Sequence, residues 1–341
     1  MSFNKILVLG PAWVGDMVLA HSLFKTLKLE QPQAIIDVAA PAWTLPLLAR
    51  MPEVHEAIAL PFKHGQLALA ARIRFGRSLK GRGYTQAILL TNSLKSAILP
   101  FAAGIPRRTG FLGEQRYGLL NDIRPLDKSQ LPRTVDRFIA LGLERNQSLP
   151  AQVALPHLIA DSGNALQALH KLGLQQPQTK VLGLCPGAEY GEAKRWPLEY
   201  FAEVANAALA QGWQVWLFGS EKDIPYTAQI NQLSAGKCLD LGGKTNLAEA
   251  IDLMSLTSAV VSNDSGLMHV AAALNKPLVA LYGSSDPHHT PPMNAQANIL
   301  YLGLECSPCF KRECPLGHLN CLKQLQPQAV LDKLSFNSRL S

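Results

Sequence analysis

Residues 259–274 read AVVSNDSGLMHVAAAL, an apolar run that breaks into a polar turn and resumes as a second apolar segment. This pattern predicts a buried strand, a tight turn and the start of a helix. The first N–H groups of a helix lack partners within it and lie at the positive end of its dipole, so a turn at Ser265 and Gly266 is suited to bind a phosphate. Asp264 and His269 place polar side chains beside that position.

The same pattern occurs at the start of the chain, where the apolar run 6–9 is followed by GPAWVGDM at 10–17. Two strand–turn–helix openings that each carry an aspartate suggest two facing sites. Apolar runs alternate with amphipathic stretches along the chain, and this alternation predicts an α/β fold with parallel sheets and helices on both faces. The predicted strands are 6–9, 35–39, 87–90, 181–185, 215–219, 259–262 and 278–282, and the predicted helices include 17–29, 198–211 and 247–256.

The length and composition predict two domains. The chain has 341 residues, of which 48% are hydrophobic and 17% charged, whereas single cores stop growing near about 250–300 residues. The segment 145–180 is rich in Gln and Pro and predicts a linker that holds one helix. We therefore place domains at 1–155 and 156–325, with a C-terminal helix or tail at 326–341. Since ligands bind at the carboxyl ends of parallel strands, two such domains would enclose a cleft.

The charge favours an anionic partner, because 32 Lys and Arg against 25 Asp and Glu give a net charge of +7. No motif for reading nucleic acid accompanies it, so nucleic acid is not expected. The sequence contains no apolar run approaching the about 18 residues of a membrane span, and we expect a cytoplasmic protein. One cationic cluster has two interpretations, a solvated helix face or a surface for anionic lipid or a phosphorylated substrate. Its members are Arg72, Arg74, Arg77, Lys80 and Arg82.

The second half of the chain contains a further candidate for phosphate binding. The predicted strand 181–185 is followed by PGAEYGEAKRWP at 186–197, a glycine-containing loop with adjacent cations. Lys194 is placed to donate to an oxygen that gains charge as a diphosphate leaves, and a charge-assisted hydrogen bond contributes roughly 1.5–3 kcal/mol. The alternative is an exposed loop with incidental charges. Glu221, which follows the strand 215–219, is suited to accept hydrogen bonds from ribose hydroxyls.

Four of the six cysteines lie close together in sequence, with the spacing C-x2-C-x4-C-x6-C. The first pair has the spacing of metal ligands, but the second pair does not match a zinc ribbon. Free thiols, a structural metal site and a redox-sensitive clip all remain open for this cluster. The cysteines are Cys306, Cys309, Cys314 and Cys321.

Five segments resemble the type II lipopolysaccharide heptosyltransferases of glycosyltransferase family 9. The segments are 10–17, 104–110, 116–122, 186–197 and 263–277, and the resemblance extends from the first strand to about residue 292. It implies the GT-B architecture, with an N-terminal acceptor domain and a C-terminal ADP-heptose domain that face each other across a cleft. It further implies inverting transfer of heptose from ADP-L-glycero-β-D-manno-heptose to the first heptose of Kdo-lipid A, without a metal or another cofactor. The acceptor places the enzyme in peripheral contact with the cytoplasmic face of the inner membrane of a Gram-negative cell.

The resemblance also implies roles for individual residues. Asp16 is the general base, because an inverting displacement requires a carboxylate opposite the departing diphosphate. Lys194 contacts that diphosphate as a catalytic cation, and Glu221 contacts the ribose. The remaining donor contacts are Glu189, Tyr190, Thr245, Asp264, Ser265, Gly266 and His269. Acceptor contacts are assigned from charge and location to Lys95, Arg107, Arg116 and Arg137.

Three other functions agree less well with the sequence. A nucleotide-dependent dehydrogenase requires G-x-G-x-x-G after a strand, which Gly10 to Gly15 does not supply. A non-catalytic sugar-nucleotide sensor has no need of Asp16, which is present. The strongest alternative is a sibling heptosyltransferase that acts on a different core sugar. The opening GPAWVGDM favours the type II enzymes.

Overall fold

The computed structural model describes residues 4–62 and 65–334. The chain divides into two compact units between Ile159 and Ala160, whereas the sequence placed the boundary near 155. The predicted linker 145–180 contains one helix. The last part of the predicted C-terminal helix or tail, residues 335–341, lies outside the described residues.

The described part of unit 1 forms a parallel six-stranded sheet in the order β3-β2-β1-β4-β5-β6. Its strands are β1 (Lys5–Leu9), β2 (Ile35–Pro41), β3 (Glu56–Leu60), β4 (Gln86–Leu89), β5 (Arg107–Phe111) and β6 (Asp122–Arg124). Its helices are α1 (Val14–Glu30), α2 (Leu45–Leu48), α3 (Leu69–Ser78), α4 (Leu94–Ala102) and α5 (Thr134–Gly142). The central strands are almost wholly buried because helices cover both faces of a parallel sheet.

Within its described residues, unit 2 repeats this architecture in the order β12-β11-β10-β7-β8-β9. Its strands are β7 (Val181–Cys185), β8 (Gln214–Leu217), β9 (Leu239–Asp240), β10 (Ala259–Asn263), β11 (Leu278–Tyr282) and β12 (Ala297–Tyr301). Its helices are α6 (Ser162–Lys171), α7 (Leu198–Ala210), α8 (Ile224–Leu233), α9 (Leu247–Met254), α10 (Gly266–Ala273), α11 (Asn320–Lys323) and α12 (Pro327–Leu331). The prediction of an α/β fold with parallel sheets is confirmed.

Both sheets reverse their strand order at one point. In unit 1 the chain proceeds outward from β1 to β3 and then restarts beside β1 with β4, and in unit 2 the corresponding neighbours are β7 and β10. The loops that leave two such neighbours diverge, so a crevice opens at the carboxyl ends of the strands. Both sequence stretches that predict anion-binding turns lie there, the first after β1 and the second after β10.

Four residues separate the end of β1 from the first turn of α1, which places that turn at the strand order reversal. Gly10 lies against the end of the Met17 side chain, whose terminal methyl group is 2.6 Å from where a Cβ would stand, so a larger residue there would require Met17 to move. No helix in the described residues has both the length and the apolar character needed to cross a membrane.

Candidate active site

Asn263, the last residue of β10, ties the loop 186–197 to the sheet. Its side-chain amide donates to the Pro186 carbonyl at 2.6 Å, and its side-chain oxygen accepts from the Trp196 backbone N–H at 3.1 Å. One buried amide thus fixes both ends of the loop. The sequence analysis did not identify Asn263, although a polar residue that ends an apolar strand was a usable signal.

Lys194, Asp264 and Ser285 form a compact polar cluster at this edge of unit 2. The Lys194 ammonium donates to Asp264 Oδ2 at 2.5 Å, and the Ser285 hydroxyl donates to the same oxygen at 2.5 Å. The Asp264 side chain is only 5% exposed, while that of Lys194 is 18% exposed. A buried carboxylate therefore holds an ammonium group that still reaches solvent. The sequence did not single out Ser285, which lies three residues after the end of β11.

The turn before α10 keeps the features that favour an anion. Gly266 is the first residue of the helix, and Ser265 precedes it in an extended conformation without making a side-chain capping bond. The Ser265 hydroxyl lies instead 3.3 Å from that of Ser262. Because the Ser265 side chain does not cap the helix, backbone N–H groups of the first turn remain for a ligand oxygen.

His269 is buried in the first turns of α10, with 5% of its surface exposed. Its Nδ1 atom finds no hydrogen-bond partner among the described residues. The pKa of the imidazole is lowered to about 4, chiefly by burial; the Asp264 carboxylate opposes this shift and the Lys194 ammonium adds to it. His269 is therefore neutral at neutral pH.

Tyr190 lies between two cations. The Lys194 ammonium is 5.2 Å and the Arg312 guanidinium 5.5 Å from the centre of its ring, distances at which cation–π attraction operates. Its hydroxyl donates to the Phe310 carbonyl at 2.7 Å. The adjacent Glu189 is exposed and forms an ion pair with Lys222.

Two other predicted donor contacts follow strands of the same sheet. Glu221 is exposed and begins the short 3-10 turn Glu221–Asp223 after β8. Thr245 is half-buried between β9 and α9. The predicted donor residues thus lie in segments that leave the carboxyl edge of this sheet, as the sequence analysis expected.

In unit 1, Asp16 and Lys95 flank the strand order reversal. Asp16 is the third residue of α1 and Lys95 the second residue of α4, and both are half-buried. Arg107 has partners of its own, Asp122 at 3.2 Å and Glu144 at 2.8 Å. Arg137 donates to two backbone carbonyls of the preceding loop at 2.9 and 3.1 Å.

Arg116 is not suited to the acceptor contact predicted for it. Its side chain is fully buried and donates to the backbone carbonyls of Thr91 at 2.7 Å and Phe111 at 2.5 Å. Burial lowers the pKa of the guanidinium. Arg116 therefore joins the segments that follow β4 and β5. The charge of Arg116 suggested an exposed side chain, but its position between two loops buries it.

The cationic cluster at 72–82 is also smaller than the sequence indicated. Arg72 is buried, lies over the Phe62 ring at 4.4 Å and donates to the Leu67 carbonyl at 2.6 Å. Arg82 pairs with Glu56 at 3.1 Å. The remaining three members are exposed, and they are Arg74, Arg77 and Lys80.

One group in unit 1 has the composition of a metal site. Ligand atoms of Asp37, His55 and Glu56 lie within 4.8 Å of one another. The Asp37 carboxylate, however, already accepts hydrogen bonds from Tyr84 at 2.7 Å and His55 at 2.8 Å and lies 3.3 Å from Lys5. Because Lys5 and Glu56 begin their strands, this network lies at the amino edge of the sheet, away from the predicted site.

Comparison with known proteins decides the family. The model of glycosyltransferase family 9 (heptosyltransferase) matches residues 72–320. The chain belongs to glycosyltransferase family 9. It is 46% identical over 340 residues to lipopolysaccharide heptosyltransferase 2 of Escherichia coli K12, with 97% of each chain covered. It is 45% identical to lipooligosaccharide heptosyltransferase 2 of Haemophilus influenzae, covering 97% of this chain and 98% of the relative.

The solved structures agree with this family assignment. The structure of E. coli ADP-heptose LPS heptosyltransferase II matches with a TM-score of 0.86 and 44% identity, covering 97% of both chains. By contrast, lipopolysaccharide heptosyltransferase 1 of Pseudomonas aeruginosa is 28% identical over 214 residues. The family resemblance and the GT-B fold class inferred from the sequence are confirmed, and this family 9 chain is a glycosyltransferase.

Proposed function

We propose that this enzyme transfers L-glycero-D-manno-heptose from ADP-heptose to the first heptose of the lipopolysaccharide inner core, with inversion at the anomeric carbon. The proposal rests on one observation above all, the Lys194–Asp264–Ser285 cluster beside the N-terminus of α10. Identity along nearly the whole chain to heptosyltransferase 2 supports heptose transfer within the inner core. Kdo-lipid A that carries one heptose is the acceptor in this proposal.

The cluster is suited to a diphosphate leaving group. An ammonium has three N–H donors, and the Asp264 carboxylate occupies one of them, so the other two are available to diphosphate oxygens. A charge that is already oriented stabilises the departing ADP without reorganisation. In this mechanism Lys194 and the Ser265–Gly266 turn contact the diphosphate, Glu221 contacts the ribose, and Asp264 positions Lys194.

Asp16 is the proposed general base. As the acceptor oxygen bonds to the anomeric carbon, the bond to the diphosphate breaks, the electron pair leaves with ADP, and the hydroxyl proton passes to the Asp16 carboxylate. The first turn of α1 favours the charged form of that carboxylate because the helix dipole is positive there. Lys95 follows the neighbouring strand and is the best placed of the predicted acceptor cations.

The acceptor is anchored in a membrane, and we propose peripheral contact with the cytoplasmic face of the inner membrane. Arg74, Arg77 and Lys80 are exposed on or just after α3. Each cation near an anionic surface contributes about 1 kcal/mol, enough for reversible association when several act together.

A series of truncated acceptors tests the reaction. The enzyme is incubated with ADP-heptose and core acceptors that carry zero, one or two heptoses, and the products are identified by mass spectrometry. We expect extension of the one-heptose acceptor alone. Extension of the acceptor without heptose would instead assign the enzyme to the sibling activity.

The Asp16→Asn variant tests the base. We expect kcat to fall roughly 10²–10⁴-fold, since a positioned base contributes about that much, while the affinity for ADP-heptose changes little. Asp127→Asn, which alters an exposed carboxylate of the same unit, is the control and should retain the wild-type rate. Near-normal turnover in folded Asp16→Asn protein would exclude Asp16 as the base.

A further inference from the structure

The four clustered cysteines lie in a segment with little regular structure. Between β12 and α11, residues 302–319 contain no helix or strand, and apolar side chains such as Phe310 and Leu316 are exposed. Loops longer than about 12–15 residues without secondary structure are uncommon in compact domains and are usually functional. Since burial of apolar surface contributes little here, other interactions must hold this segment in place.

All four cysteines converge on one cavity. They are Cys306, Cys309, Cys314 and Cys321, and they line a space of about 20 Å³. A cavity of this kind needs roughly 10–15 Å³ to hold a water molecule, so there is room for an ion. The four thiols are not joined as disulfides in the described chain. The four cysteines are spread over residues 306–321 in the sequence, yet all of them line the same cavity.

The spacing of the sulfurs is wider than a single bound ion requires. No three of them lie within 4.8 Å of one another in the described residues, whereas bonds of about 2.3 Å to one tetrahedral ion place sulfurs roughly 3.8 Å apart. The segment must therefore tighten around a single zinc or iron ion, either of which accepts a four-thiolate donor set.

The backbone around the cysteines supports a ligand role. Phe310, directly after Cys309, has φ +53°, and Leu319 has φ +54°. Such left-handed conformations are costly for residues with a side chain and persist at sites whose geometry is strongly constrained. In addition, backbone N–H groups of residues 316–319 surround the Cys314 sulfur.

We propose that Cys306, Cys309, Cys314 and Cys321 form a four-thiolate site for zinc or iron, which braces the loop that carries Lys194. The brace follows from direct contacts between the two segments. The Ala193 N–H donates to the Arg312 carbonyl at 3.0 Å, and a Cβ on Gly191 would lie 2.4 Å from that oxygen. The Tyr190 hydroxyl donates to the Phe310 carbonyl at 2.7 Å. Ala193 also lines the cysteine cavity.

The metal content is the first test. Protein is purified without oxygen from cells supplied with zinc or with iron, and its metals are measured by mass spectrometry together with the visible spectrum. We expect stoichiometric metal, colourless for zinc and with sulfur-to-iron absorption for iron. Cys309→Ser and Cys314→Ser should lose it, while Cys238→Ala, at a buried cysteine outside the cluster, should keep it. Folded wild-type protein without metal from either culture, or with disulfides among the four cysteines, would overturn the proposal.

A second measurement does not depend on whether the variants fold. Cobalt(II) is titrated into wild-type protein that has been stripped with a chelator under reducing conditions. Intense sulfur-to-cobalt absorption that saturates at one equivalent and disappears on adding zinc is the expected result. If cobalt produces no such absorption, the four sulfurs do not form a site.

The bracing role is tested separately and rests on the proposed donor site. Removal of the metal should weaken ADP binding by about tenfold or more, as the loss of residues that support a site commonly does, without changing the far-ultraviolet circular dichroism. Unchanged ADP affinity in stripped protein would refute the brace. The outcome of the metal measurements does not depend on this result or on whether the enzyme transfers heptose.

Discussion

Replacing Lys194 with methionine tests the centre of the proposed mechanism, because it removes the charge while keeping most of the side-chain volume. The Asp264 carboxylate, 5% exposed, would retain the Ser285 hydroxyl as its one side-chain donor among residues 4–62 and 65–334. Removing one member of a buried ion pair costs about 3–5 kcal/mol. Since Lys194 keeps 18% of its surface in solvent, we expect the lower end of that range in the free energy of unfolding. Turnover should fall roughly 10²–10³-fold, the usual effect of removing one preorganised donor.

A second change separates stability from catalysis. Asp264→Asn in the Lys194→Met background removes the unpaired buried charge, so most of the lost unfolding free energy should return while turnover stays low. Urea denaturation measures the first quantity, initial rates with ADP-heptose the second, and calorimetry the affinity for ADP. Recovery of activity together with stability would refute the leaving-group role, and so would Lys194→Met protein with nearly wild-type kcat.

Two further predictions concern pH and membranes. Because burial lowers the pKa of His269 from 6.5 to about 4, the unfolded chain binds this proton first, and stability should fall by about 2 kcal/mol between pH 7 and pH 5. The contribution of neutral His269 to the free energy of unfolding is fully present above pH 6.5. Urea denaturation of His269→Gln should show no such loss between pH 7 and pH 5, and an unchanged pH dependence in that variant would contradict the assignment. Wild-type protein should sediment with anionic but not neutral vesicles at 0.1 M salt and be released at 1 M, where the Debye length falls from about 10 to about 3 Å. The variant in which Arg74, Arg77 and Lys80 are all changed to Gln should remain in solution. Equal sedimentation of the two proteins would show that these cations form a solvated helix face with no role in membrane binding.

The hydrophobic pattern of the chain was sufficient to predict the α/β fold and the polar turns that follow β1 and β10. The predicted bounds of β7 and β11 agree with the structure, and β1 and β10 begin or end within one residue of prediction. These strands are central and buried on both faces, so each is a continuous apolar run that needs no knowledge of its neighbours. Five strands within the described residues were not predicted. The edge strands β6 and β9 have only three and two residues and show no clear periodicity. The edge strands β3 and β12 are only partly buried, and β5 begins with two arginines, so none of the three is a continuous apolar run.

The contacts between polar side chains, by contrast, could be read only from the folded structure. Arg116 and Arg72 look like surface cations in the sequence, yet both are buried against carbonyls of neighbouring segments. The pairing of Lys194 with Asp264 joins residues that are 70 positions apart. Hydrophobic periodicity reports whether a position is buried, but it carries no information about the partner of a buried charge, which depends on how loops from different strands meet.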